Sequence, residues 1–300
     1  MSSKNGLLTD SDFLTAAAAE VSDALGRFIT MFEGHPQAAK KLGTLRSQLK
    51  PGKMLRSRLG MALCPATSPV RPALVTACAA TELIHTATLF HDDVVDGACI
   101  RRTQPTLWRE YGTTGAILLG DLFYSTGLRI LIDKNLMREA ASLITKVQEL
   151  CATEAQHELI MRGRTLDIET SIQIARGKTG PLFAFTAEAA AGDDAEAAAA
   201  FEEVGYRLGT AYQLIDDFLD EIGDEGTIGK TLGTDRKRRK FTLAQDHTIP
   251  DSFIHDKIGS ICESTLDLLA PWPDTRASAE AFTEQFLLSL LPPKVEEMAR

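Results

Sequence analysis

The chain has little with which to cross-link, form sheet or span a membrane. Its five cysteines, Cys64, Cys78, Cys99, Cys151 and Cys262, are odd in number, and none stands at CxxC spacing. That argues against a disulfide framework and predicts reduced thiols, acting as small core hydrophobes, in a cytoplasmic protein. Alternating β-branched runs bounded by turn residues are almost absent, which leaves little sequence for strands. No GxSxG, HExxH, Walker lysine loop or Rossmann glycine pattern occurs, so the commonest hydrolase, zinc-protease and nucleotide-binding devices are missing. The opening "MSSKNGLLTDSDFL" lacks a basic region followed by an apolar run, so no signal peptide is expected. The most apolar later stretch, "GAILLGDLFYSTGLRILI", is interrupted by Asp121 and Arg129 and predicts a buried helix rather than a membrane span.

What is present is helical and acidic. The formal net charge is -9, which disfavours a nucleic-acid binder that works by whole-surface attraction. An anionic substrate would therefore need local basic groups or bridging metal ions. Long proline-free stretches rich in Ala, Leu and Glu predict helices over Thr15–Phe32, Ala73–Asp96, Arg138–Arg162 and Ala195–Glu221. The breaks between them are short, so residues 1–300 read as one all-α domain.

Two helices end on the same acidic spacing. In "LFHDDVVDGACIRR", Asp92, Asp93 and Asp96 crowd together ahead of Arg101 and Arg102. Pro72 suits the first turn of this helix and Gly97 its stop. Thr81, His85, Thr88, Asp92 and Asp96 share one face, while Leu83, Phe90 and Val94 lie on another. In "YRLGTAYQLIDDFLDEIGD", Asp216, Asp217 and Asp220 repeat the DDxxD spacing. Val204, Leu208, Ala211, Ile215 and Leu219 make an apolar stripe, with Gly205, Gly209, Tyr212, Gln213, Asp216 and Asp220 opposite. Those glycines are expected to leave room beside the acidic end. With 21 aspartates in the chain, one DDxxD by chance is expected roughly a tenth of the time and two only about once in two hundred chains. One copy would read as a solvated helix end; two copies point to metal binding. Carboxylates one turn apart can share a hard cation, and Mg²⁺ takes one or two carboxylates, several waters and phosphate oxygens.

Basic residues are dispersed around these motifs: Lys53 and Arg56 in "LKPGKMLRSR", Lys178 and Thr179 in "RGKTG", and Lys230 and Lys240 in "GKTLGTDRKRRKFT". Any one alone is ordinary surface charge, and Arg236 to Arg239 are expected to be mostly solvated. Together with the acidic pairs they suit two anionic groups, one bound through metal and one directly.

From "LKPGKMLRS" to "DRKRRKFTL" the chain resembles the trans-isoprenyl diphosphate synthases of the polyprenyl synthetase family. "HDDVVDGACIRRTQPT" with "ILLGDLFYS" is similar to the family's first aspartate-rich motif and the helix downstream of it. "YQLIDDFLD" with "GKTLGTD" is similar to the second motif and its loop. The resemblance implies a bundle of helices around a deep cavity and a homodimer. It also implies Mg²⁺-dependent head-to-tail condensation of isopentenyl diphosphate with an allylic prenyl diphosphate. It assigns Asp92, Asp96, Asp216 and Asp220 to metal, with three Mg²⁺ ions around the bound diphosphate. Lys53, Arg56, His85 and Arg102 go to isopentenyl diphosphate. Arg101, Lys178, Thr179, Gln213, Lys230 and Lys240 go to the allylic diphosphate. Asp92, Asp96, Asp216, Lys178 and Lys230 would be the catalytic set.

The family's usual first basic loop departs here to Pro51, Gly52, Lys53, Met54, Leu55, Arg56 and Ser57, where Ser57 replaces a proline. Small residues one turn above the first motif, Ala87 and Thr88, imply a product of twenty carbons or more. Three rival readings remain: a class I terpene cyclase, a catalytically silent partner subunit of a synthase, and a non-enzymatic acidic metal binder. The second DDxxD, the retained aspartates and the basic set weigh against each in turn.

Overall fold

The computed structural model describes residues 10–30, 34–35, 52–65, 68–69, 71–222, 241–246 and 248–292. Among them the helices are α1 (Asp10–Thr30), α2 (Leu55–Leu63), α3 (Arg71–Asp96), α4 (Leu107–Asp133), α5 (Met137–Gln156), α6 (Ile168–Ala190), α7 (Ala195–Ile222), α8 (Asp251–Asp267) and α9 (Pro273–Phe286). A π-helical turn, His157–Met161, continues α5. The described strands are the two-residue pair β1 (Ile100–Arg101) and β2 (Gln104–Pro105), so the fold is all-α, as the sequence predicts.

The long predicted helices are found within a few residues of their expected ends. α6 and α7 pack along their length, α3 lies between α4 and α6, and α5 bridges α4 and α6. α2 rests on α3 and α6, with α9 behind it, and α8 covers α7. The shared core is aliphatic and aromatic, with Phe13, Leu59, Leu83, Phe123, Leu143, Phe183 and Phe218 almost fully buried. Arg71 is a buried charge that ties this core to α1: its guanidinium meets Asp10 at 3.1 Å and lies over the Phe13 ring. A buried ion is tolerated only when paired and hydrogen-bonded, and the Cys64 and Pro65 carbonyls accept its other N–H groups.

Three sequence expectations need correction. The apolar helix α4 is not buried: only 33% of its most apolar window is covered, and Ile117 and Leu118 are 41% and 62% exposed. By length and composition α3 and α4 could each cross a membrane, yet α3 is a core helix with 67% of its window buried, and α4 carries Asp121 and Arg129 exposed. The cysteines are all free, but only Cys64, Cys78 and Cys262 are core residues; Cys99 and Cys151 are exposed. Gly205 and Gly209 do not open space. A Cβ at Gly205 would lie 2.4 Å from the Ala184 Cα, and one at Gly209 would lie 2.8 Å from the Gly180 Cα. Their missing side chains instead let α6 and α7 touch backbone to backbone.

Candidate functional site

The end of α3 is shaped to present carboxylates. Gly97 takes a φ of +64°, and the helix closes with the paired bonds of a Schellman cap: Gly97 N–H to the Val94 carbonyl and Ala98 N–H to the Asp93 carbonyl, at 3.3 and 3.0 Å. This stops the helix at Asp96. The chain then turns into the β1–β2 hairpin, whose two-residue loop is Arg102–Thr103. Both loop residues have positive φ, 50° and 63°, the geometry of a type I′ turn that side chains rarely adopt without support. Support comes from below, where Thr106 Oγ1 and Trp108 Nε1 both donate to the Ala98 carbonyl. Within the first motif the three aspartates divide. Asp92 and Asp96 face a cavity of about 410 Å³, while Asp93 is buried and accepts two bonds from the Arg101 guanidinium at 2.8 Å.

The opposite wall is α6 and α7. The glycine contacts bring Thr179 against Gln213, and the Thr179 hydroxyl donates to the Gln213 carbonyl oxygen. The Gln213 amide then donates to Asp217 at 2.7 Å, one turn on. Asp216, Asp217 and Asp220 all line the cavity. Pro181 stands inside α6 and has no N–H for the Gly177 carbonyl, so the helix loses one rung beside Lys178 and Thr179. Lys178 reaches across to Glu154 of α5 at 3.0 Å.

A third corner holds cations. Lys53 just precedes the Met54 N-cap of α2 and Arg56 lies in its first turn, with His85 on α3 and Arg102 on the hairpin beside them, and all four line the cavity. The Arg102 guanidinium lies against Gly52, 2.3 Å from where a Cβ would sit, so a side chain there would have to displace it. Arg56 lies over the Phe183 ring at 5.1 Å, and its carbonyl accepts from Thr186 Oγ1 at 2.9 Å. Burial, then the neighbouring Arg56, Arg102 and Arg101 charges, hold His85 well below the ordinary histidine range. His85 is therefore neutral at pH 7 and meets a ligand as a polar ring rather than a charge.

Across the cavity the sign reverses. Burial, then Glu154 and Asp96, push the Asp92 carboxyl up to about 7, against the pull of Lys178 and Arg101. A carboxylate held this high is one whose charge the site does not neutralise by itself; a cation would relieve it. Among the described residues no three acidic, histidine or cysteine side chains form a ready-made metal cage. The carboxylates one turn apart on α3 and on α7 suit Mg²⁺, which takes few carboxylates and completes its shell with water and phosphate oxygens. Asp92 and Asp96 on α3, with Asp216 and Asp220 on α7, are the residues that could hold it.

Of the residues singled out from the sequence, Lys53, Arg56, His85, Asp92, Asp96, Arg101, Arg102, Lys178, Thr179, Gln213, Asp216 and Asp220 line one cavity. Lys230, Lys240 and Arg236 to Arg239 lie outside the described residues. Thr88 lines the cavity, whereas Ala87 is buried in the core. Sequence reasoning missed Glu154 as a cavity residue and Glu82 behind the arginine corner. Tyr212, set by periodicity on the Gln213 face but given no role, also lines the cavity; the two glutamates carry no local signal.

The Polyprenyl synthetase family model matches residues 42–260. A geranylgeranyl diphosphate synthase of Mycobacterium tuberculosis is 37% identical over 200 residues, covering 64% of this chain and 57% of its own. A geranylgeranyl diphosphate synthase of Methanosarcina mazei is 30% identical over 246 residues, covering 78% and 72%. The match to an Escherichia coli octaprenyl diphosphate synthase, at 30% identity, likewise spans 62% of that relative, short of two thirds. Among solved structures, a polyprenyl synthase of Caulobacter crescentus, complexed with calcium and isoprenyl diphosphate, superposes with a TM-score of 0.76 at 24% identity, over 91% of this chain and 94% of its own. A geranylgeranyl pyrophosphate synthetase of Pyrococcus horikoshii gives 0.65 at 26% identity, over 95% and 94%.

Proposed function

Because the chain belongs to the polyprenyl synthetase family, we propose that it condenses isopentenyl diphosphate head-to-tail with an allylic prenyl diphosphate to give a trans-polyprenyl diphosphate. The observation that carries this reading is the division of one cavity into an acidic wall and a cationic corner, Asp92, Asp96, Asp216 and Asp220 against Lys53, Arg56, His85 and Arg102. Two anionic substrates can be held there at once in different ways.

Mg²⁺ bound at the acidic wall would stabilise a departing diphosphate as a leaving group. The chain's own groups do the rest. Lys178, released from Glu154, and Arg101, anchored on Asp93, supply direct cationic contacts to the allylic diphosphate. Gln213, fixed at both ends, and Thr179 present polar atoms where the allylic carbon would become electron-poor. Lys53, Arg56 and Arg102 clamp the second diphosphate, with neutral His85 beside them, so that the double bond of isopentenyl diphosphate faces that carbon. Among the described residues no strongly basic side chain stands free for the final deprotonation, and the released diphosphate is the proton acceptor in this reading. The half-buried charges of this cavity, Arg56, Arg101 and Lys178, would make stronger contacts there than in open water.

The small Thr88 on the cavity wall supports a product of twenty carbons or more. The exposed apolar face of α4 supports a homodimer, free thiols support a cytoplasmic location, and continuous helix packing supports a single domain. The test is incubation with Mg²⁺, isopentenyl diphosphate and an allylic primer. Prenyl diphosphates of twenty or more carbons are expected, and Asp92→Ala should abolish them. Arrest at fifteen carbons would remove the length proposal. Cyclic hydrocarbon would favour the cyclase, and no product would leave a silent subunit or a metal binder.

A further inference from the structure

The start of α2 carries two residues of the cationic corner yet has no cap of its own. Met54 occupies the N-cap position in the left-handed region, φ 51°, and offers no side-chain hydrogen bond. The first-turn N–H groups of a helix have no intrahelical acceptor. Here an acceptor arrives from another helix. Glu82 of α3 accepts from the Ser57 hydroxyl at 2.7 Å, and the Ser57 main-chain N–H pulls on the same carboxylate. Ser57 is completely buried.

The same carboxylate faces Arg56 and Arg102, whose mutual repulsion it offsets. Burial raises the Glu82 carboxyl from its ordinary value, while the Ser57 hydrogen bond, Arg56 and Arg102 draw it back down. Neither Ser57 nor Glu82 lines the cavity, so neither can touch a ligand there.

We propose that Ser57 and Glu82 form a positioning pair, which caps α2 from α3 and sets Arg56 and Arg102 at the spacing that receives one diphosphate. This rests on the reading of Lys53, Arg56, His85 and Arg102 as the isopentenyl diphosphate corner. The pair acts on that corner and not on the acidic wall, because its hydrogen bonds run to the first turn of α2, which carries Arg56, and the Glu82 charge acts on both arginines. Serine supplies both a hydroxyl and an N–H at this position; losing the hydroxyl leaves the carboxylate with a single weak donor beside two guanidinium groups.

Steady-state kinetics on the full chain test it, with Ser57→Ala, Ser57→Thr and Glu82→Gln. Losing a hydrogen bond to a charged group predicts a KM for isopentenyl diphosphate raised by about tenfold in Ser57→Ala. The primer KM and kcat should stay within about twofold, and Ser57→Thr should restore the value. Glu82→Gln, which keeps an acceptor but loses the charge between the arginines, should raise the same KM at least as far. An unchanged KM in Ser57→Ala or Glu82→Gln overturns the pairing, as does a parallel fall in every parameter together with the melting temperature. If the wild-type chain makes no prenyl product, the functional reading fails separately. Calorimetry with inorganic pyrophosphate then decides the pair: weaker binding in Ser57→Ala, restored in Ser57→Thr, supports it, and equal binding overturns it.

Discussion

The Lys178 ammonium lies 3.0 Å from the Glu154 carboxylate, a cation and an anion from facing helices inside one cavity. The same Glu154 is the strongest charged influence raising Asp92. One glutamate therefore holds a lysine away from the acidic wall and keeps an aspartate of that wall close to neutral. In the proposed reaction, metal and diphosphate would exchange both contacts, Lys178 turning to phosphate and Asp92 losing its proton.

Replacing Glu154 by Gln should undo both effects. The Asp92 carboxyl, which titrates at about 7, should move down in the variant. Carbon-13 spectra of aspartate-labelled protein, recorded in EDTA, report that midpoint; a midpoint that stays near its original value would show that Glu154 does not act on Asp92.

The raised Asp92 carboxyl also sets a pH dependence of stability. Its folded value of about 7 lies above its ordinary 3.8, so the folded state holds the proton more tightly than the unfolded chain. The contribution is fully present below about pH 4 and is lost as pH rises towards 7. At one unit per about 1.4 kcal/mol, charging Asp92 costs on the order of a few kcal/mol in metal-free protein. Asp92→Asn should therefore raise the melting temperature at pH 8 in EDTA but not at pH 4, and Mg²⁺ should narrow the difference. A variant that melts below wild type at pH 8 would contradict the assignment.

Gly205→Ala should damage both fold and site. Its Cβ would meet the Ala184 Cα at 2.4 Å and the Ala184 N at 2.6 Å, backbone atoms that cannot rotate aside. Overpacking of this kind costs about 1–3 kcal/mol. The same shift would separate Gln213 on α7 from Thr179 on α6. Urea unfolding and turnover should fall together; full activity in a destabilised protein would mean that the helix spacing does not set the site.

Leu118→Glu addresses the outward face of α4. Leu118 is 62% exposed and Ile117 41%, an apolar surface that a second copy would cover. Light scattering should find dimers for wild type and monomers for the variant, whereas dimers in both would place any interface elsewhere.

The sequence carried the long elements and most of the site because both are local. α3 and α7 follow from apolar spacing, Gly97 marks the end of α3, and the aspartates one turn apart reveal their own face. What it could not carry was pairing across the bundle. Glu154 and Glu82 look like ordinary helix glutamates until Lys178, Ser57 and the arginines are folded against them. Ser57 stood out only as a departure from proline, and its two donors to Glu82 are the physical content of that departure. The apolar composition of α4 could not say which of its faces meets the core. Nor could a glycine in a helix declare whether it opens a space or closes one, as Gly205 and Gly209 show.

The cationic corner is drawn from one short run of chain, between Lys53 and Arg102, whereas the second acidic motif comes much later in the sequence. A ribosome adding about 5–20 residues per second would finish that run on the order of ten seconds before it delivered Asp216. Thr186 and Phe183, which steady Arg56, also arrive late. Glu82, by contrast, is made in the same run of chain as Arg56 and Arg102. The carboxylate proposed to space two arginines is thus synthesised alongside them, and the acidic wall they face is completed only when α7 arrives.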